Sequence, residues 1–205
     1  DPNKIYKLFN EKIIWNKLSN IFNAENLNIH LKKINDLYNN FNFNNEKSIY
    51  ITLLKDGVSS SDFLISSELD EASFNKIKGK FSNNLLSSEY DNTTIFQITS
   101  DSLNIYFSSV NKTACFSSSK TIIEDAIKSA KSEYNFVNDS RFTNIYNTLN
   151  QSSDINIIYN LNNLISIQPE IKNSNMFLLK NLNNWVAADL KIKNNKIILN
   201  GYNLI

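Results

Sequence analysis

Apolar residues along the first third of the chain recur at helical spacing. Ile5, Leu8, Phe9 and Ile13 share one face, and Trp15, Leu18 and Phe22 continue the stripe. Leu27, Leu31, Ile34, Tyr38 and Phe41 then step by four, three, four and three, the mark of an amphipathic helix. Asp1 suits an N-cap and Pro2 the first helical position. After Phe43 the period changes to two. Ile49, Ile51 and Leu53 alternate with Ser48, Tyr50 and Thr52, which predicts a half-buried strand. An Asp56-Gly57 turn and a returning strand over Phe63–Ser67 complete a hairpin.

Asp70 caps a predicted helix that turns Phe74, Ile77 and Phe81 inward. Three strands are expected next, over Thr94–Thr99, Leu103–Val110 and Thr113–Ser118, with turns at Asp101-Ser102 and Asn111-Lys112. Thr121 and Glu124 fit a capping box ahead of Ile122, Ile123, Ala126, Ile127 and Ala130. Asp139 caps a helix carrying Phe142, Ile145, Tyr146 and Leu149. A strand over Asp154–Asn160, a short helix over Leu161–Gln168, and a hairpin of Trp185–Ile192 with Lys196–Tyr202 finish the chain.

Strands joined by short turns and interleaved with helices predict an α+β fold, an antiparallel meander with helices packed on one face. Helices precede a hairpin at both ends, which suggests a degenerate internal duplication. Residues 1–205 then form a single α+β domain with pseudo-repeated lobes at 1–118 and 119–205. The chain opens on Asp1-Pro2 without Met and stops within an expected strand, so it reads as a piece excised from a longer protein.

Composition adds a large core and little charge. At 205 residues with 41% hydrophobic side chains, a core can form without a disulfide or metal staple. The 21 basic and 20 acidic residues leave a formal +1, and Arg141 is the single arginine, which argues against nucleic-acid recognition. Asn supplies 37 residues spread between apolar ones, the usage expected from AT-rich codons. Sequons stand at Asn92, Asn111, Asn138 and Asn150, a number that chance explains at this Asn content.

Candidate chemistry is sparse. His30 and Cys115 are single, so a nucleophilic triad, a disulfide and a Cys/His zinc site all lack parts. Gly57, Gly79 and Gly201 are too scattered for a phosphate cradle. No cofactor is expected. Glu68 with Asp70 is the one carboxylate pair worth testing for glycosidase-like geometry, whereas Asp70-Glu71 and Glu124-Asp125 simply complement helix dipoles. Tyr50, Tyr106 and Tyr159 lie on expected strands, where each serves as core packing or as part of a partner surface.

The runs YFSSVNKTACFSSSKTIIEDAIKSA, DSRFTNIYNTLNQSSDINIIYNLNNL and NWVAADLKIKNNKIILNGYNLI, with the opening DPNKIYKLFNEKIIWNKL, resemble an uncharacterised family of Bacteroidota proteins, DUF3352. The likeness lies in the order of parts: a strand into a Ser-rich helix start, a capped D-x-x-F helix, a strand and a Trp-led hairpin. It implies an envelope-associated protein, with this domain on the periplasmic or extracytoplasmic side. Membrane attachment would then run only through segments outside this fragment. It offers no catalytic residue to transfer.

Three functional classes follow. The first is a non-enzymatic envelope domain that binds an unknown protein partner or acts as a scaffold. The alternative is a carrier or chaperone for a lipid or other apolar ligand, enclosed between sheet and helices. A carboxylate-dependent hydrolase comes last.

Overall fold

The computed structural model describes residues 49–56, 60–100, 103–132, 138–160, 185–193 and 196–203. The helices expected over residues 1–48 and 161–168 therefore lie outside the described residues, as does His30. The chain divides into two compact units, residues 1–132 and residues 133–205.

In the first unit, strands β1 (Ile49–Asp56) and β2 (Ser60–Glu68) pair antiparallel through Ile49↔Ser67 to Asp56↔Ser60. Helix α1 (Glu71–Lys80) follows, with the Asp70 side chain accepting a hydrogen bond from the Ser73 N–H. A 3-10 turn at Ser82–Asn84 leads into β3 (Leu85–Tyr90), β4 (Thr93–Ser100), β5 (Leu103–Val110) and β6 (Thr113–Ser117). These four strands form the meander, and β2 adds antiparallel to β6, giving a sheet ordered β1-β2-β6-β5-β4-β3. Strand β3 has no counterpart in the sequence reading. Its Leu-Leu-Ser-Ser-Glu-Tyr run has no apolar alternation because it is an outer strand with four consecutive exposed residues.

The sheet packs on both faces. Register aligns Ile65, Phe116, Phe107 and Phe96 across β2, β6, β5 and β4. Phe107 stacks on Phe96 at 5.3 Å and on Phe116 at 5.7 Å, and Phe74 of α1 meets Phe107 edge-on at 5.7 Å. Ile77 joins this cluster. The alternate residues Leu64, Ile95, Tyr106, Val110 and Cys115 point the other way and pack with Ile123 and Ile127 of helix α2 (Lys120–Lys131). The α+β class and the antiparallel sheet match the sequence reading, but α1 and α2 cover opposite faces of the sheet. A strand alternates its side chains across the sheet, and apolar residues at both parities demand a cover on each side.

Helix α2 also begins two residues earlier than the capping box implied. Extended Ser119 is the N-cap, its hydroxyl facing the Ile122 N–H at 3.4 Å. Glu124 instead pairs with Lys120, 3.4 Å away at the i,i+4 spacing.

The second unit carries helix α3 (Ser140–Tyr146), capped by Asp139. Strands β7 (Ile155–Asn160), β8 (Trp185–Lys193) and β9 (Lys196–Asn203) form a three-stranded antiparallel sheet in sequence order. Ile145, Trp185 and Ala187 form its buried centre, flanked by Phe142, Leu149, Ile158 and Tyr202. Six strands in one unit and three in the other do not display the expected internal repeat among the described elements.

Candidate functional site

The apolar row of the first sheet does not stop at its last covered strand. Ile51 of β1 pairs with Ile65, so it prolongs the Ile65–Phe116–Phe107–Phe96 row to the outer strand, where it is 39% exposed. Its neighbour Tyr50, on the opposite face, is 55% exposed. Both sides of β1 thus present a large apolar side chain to solvent beside the outer backbone of the sheet. Natural outer strands are usually guarded by charge, proline or a covering segment. Within β1 the charges fall only at its end, Lys55 and Asp56. The opposite outer strand, β3, shows Leu86 at 62% exposure, and β9 in the second unit shows Ile198 and Leu199.

The three tyrosines expected at a partner surface occupy different settings. Tyr50 lies open on β1. Tyr106 is on the same face but three strands away on β5, half-buried and packed into the cluster under α2. Tyr159 belongs to β7, an outer strand of the second unit's sheet. Glu68 and Asp70 are both exposed. The Ser73 N–H bond is the main cause holding the Asp70 carboxyl below its ordinary value, which is cap electrostatics. Cys115 sits half-buried beneath α2, and burial pushes its thiol up to about 11.

Polar wiring surrounds the start of α2. Three consecutive serines take separate tasks. Buried Ser117 accepts from the Ser119 N–H at 3.1 Å, Ser118 donates to the Asp62 carboxylate at 2.6 and 2.8 Å, and Ser119 caps the helix. Asp62 lies on β2, so the Ser118 bond ties the β6–α2 junction back to the sheet.

The second unit contains a polar residue that the sequence reading passed over. Asp189 on β8 is 1% exposed. Its Oδ2 accepts from the Asn150 N–H and from the Tyr202 hydroxyl, each at 3.0 Å, while Oδ1 has no hydrogen-bond partner among the described residues. That hydrogen bond, followed by burial and the carboxylate's charge, raises the Tyr202 phenol above its ordinary value. The signal was available: Asp189 shares the inward parity of Trp185 and Ala187. Among the described residues, no three His, Cys, Asp or Glu side chains gather as metal ligands, and no helix is long and apolar enough to cross a membrane.

These features define an α+β protein built on two antiparallel sheets, with the large apolar side chains exposed among the described residues falling on outer strands apart from Tyr146 of α3. Residues 62–204 match the family model described as a protein of unknown function, DUF3352, and the chain belongs to that family. No curated protein and no solved structure matches it.

Proposed function

We propose that this chain is a non-enzymatic protein-interaction module of the cell envelope, and that strand β1 receives an extended segment of its protein partner. The observation that carries this reading is the pair Tyr50 and Ile51, exposed on opposite faces of an outer strand. An added strand takes its affinity from main-chain hydrogen bonds and its specificity from side chains on alternate faces. Tyr50 and Ile51 supply one such contact on each face. Tyr106, three strands away and packed beneath α2, takes no part in this surface. The extracytoplasmic location and a Bacteroidota source rest on the resemblance of the quoted runs, and membrane attachment is assigned to segments outside residues 1–205.

The test is a crosslinked pull-down of the full-length protein from its host's envelope fraction, run beside a Tyr50→Ala/Ile51→Ser variant. A stoichiometric protein partner is expected with the wild type and is lost with the variant, while circular dichroism of the two matches. Recovery of the protein alone with co-purifying lipid would replace this reading by that of an apolar-ligand carrier. A partner retained by the variant would move the interface away from β1.

A further inference from the structure

Asp189 presents an electrostatic problem that its neighbours leave unsolved. A carboxylate taken out of water needs a counter-charge or a full set of hydrogen bonds. Here both hydrogen bonds fall on Oδ2, and Oδ1 is buried without a partner among the described residues. No lysine or arginine forms an ion pair with it among those residues. Lys191, two residues along β8, is exposed.

The register supplies oxygen donors on either side. Asp189 pairs directly with Asn156 of β7 and with Asn200 of β9. Residues directly opposed in adjacent strands project to the same face, with Cβ atoms about 5 Å apart. One carboxylate therefore lies between two carboxamides in a row across all three strands. Both asparagines are exposed, one at each end of that row. We propose that Asp189, Asn156 and Asn200 form a calcium site.

The donor chemistry favours this ion. Carboxylate and carboxamide oxygens suit hard cations, and calcium accepts irregular sets of six to eight oxygens, completed here by water on the exposed side. Magnesium demands a near-octahedral set and parts reluctantly with its own waters. A calcium ion also approaches oxygen to about 2.4 Å, nearer than a water at about 2.8 Å, so an enclosed Oδ1 suits the bare ion better. With a single carboxylate the site belongs to the weak class, with Kd of order 0.1–1 mM.

The experiment is calcium titration of the full chain by calorimetry, with terbium luminescence as a second readout, since Trp185 and Tyr202 lie on the same face and can sensitise the ion. Saturable 1:1 binding is expected, with terbium displaced by calcium and not by equal magnesium. Asn156→Ala and Asn200→Ala, both at exposed positions, should each weaken calcium binding ~10-fold. Asp189→Asn should abolish it, and if that variant fails to fold the two asparagine variants decide the matter. No binding at ~10 mM calcium, a response to sodium or magnesium equal to that to calcium, or unchanged affinity in both asparagine variants would overturn the proposal.

Discussion

Among the described residues, four other than glycine hold positive φ: Asp91 at 47°, Asn92 at 53°, Asn111 at 51° and Lys112 at 65°. They form the two-residue loops between Tyr90 and Thr93 and between Val110 and Thr113. Both central residues left-handed is the type I′ arrangement, whose twist matches that of the flanking strands. Asp and Asn tolerate this region, whereas Lys112 adopts it against its own Cβ. Lys112→Gly should therefore stabilise the protein by about 0.5–1 kcal/mol, the relief of strain exceeding the extra chain entropy of glycine. The Lys112 carbonyl that accepts the Leu69 N–H at 3.0 Å is kept. Urea unfolding should show a higher midpoint at unchanged slope, and a midpoint that falls would refute the strain argument. At this scale the sequence was informative: Asn111, Asp70 and Asp139 all announce their roles by residue type and position, while Lys112 does so by position alone.

Elements were legible where their period was strong. Strand β5 reads clearly because Ile105 and Phe107 alternate with Asn104 and Tyr106, and α2 because Ile122, Ile123 and Ile127 share a face. Strand β3 was not, since a polar outer strand carries no alternation. The energetic contrast between such strands is testable. Phe107 is fully buried among Phe96, Phe116 and Phe74, so Phe107→Ala removes a large side chain from a packed row and should cost about 3–5 kcal/mol. Leu86→Ala on β3, already exposed, should stay within about 0.5 kcal/mol of wild type. Equal losses from the two substitutions, measured by denaturant unfolding, would contradict the packing described for this sheet.

For the molecule as a whole, groups in both units bound the range of pH over which it is most stable. Asp70 and Asp139 are held below their ordinary values, the first chiefly by the Ser73 N–H and the second chiefly by the Arg141 side chain. Their contribution is present above the ordinary carboxylate value near 4 and is lost as pH falls through the depressed folded values. Cys115 and Tyr202 are shifted upward, Cys115 to about 11. Stabilisation by the neutral thiol is complete below its ordinary value near 8.5 and disappears as pH rises through about 11. Thermal unfolding followed from pH 3 to 11 should accordingly show a plateau from ~5 to ~8.5 with losses on both sides. Cys115→Ala should flatten part of the alkaline limb. An unchanged limb would mean that the thiol is not its source.

By itself the sequence determined the short-range features: the periods of its strands and helices, the Asp70 and Asp139 caps, and the α+β class. These depend on side chains within a few residues of one another, so a local pattern suffices. Tertiary structure decided the rest. Which strand β2 joins, which face α1 and α2 each cover, and where the apolar row ends at Ile51 follow from pairings between residues far apart in the chain. The same holds for Asp189, whose burial depends on Asn150 and Tyr202 arriving from a loop and a neighbouring strand. Burial is a property of the assembled sheet, and no stretch of the chain carries it alone.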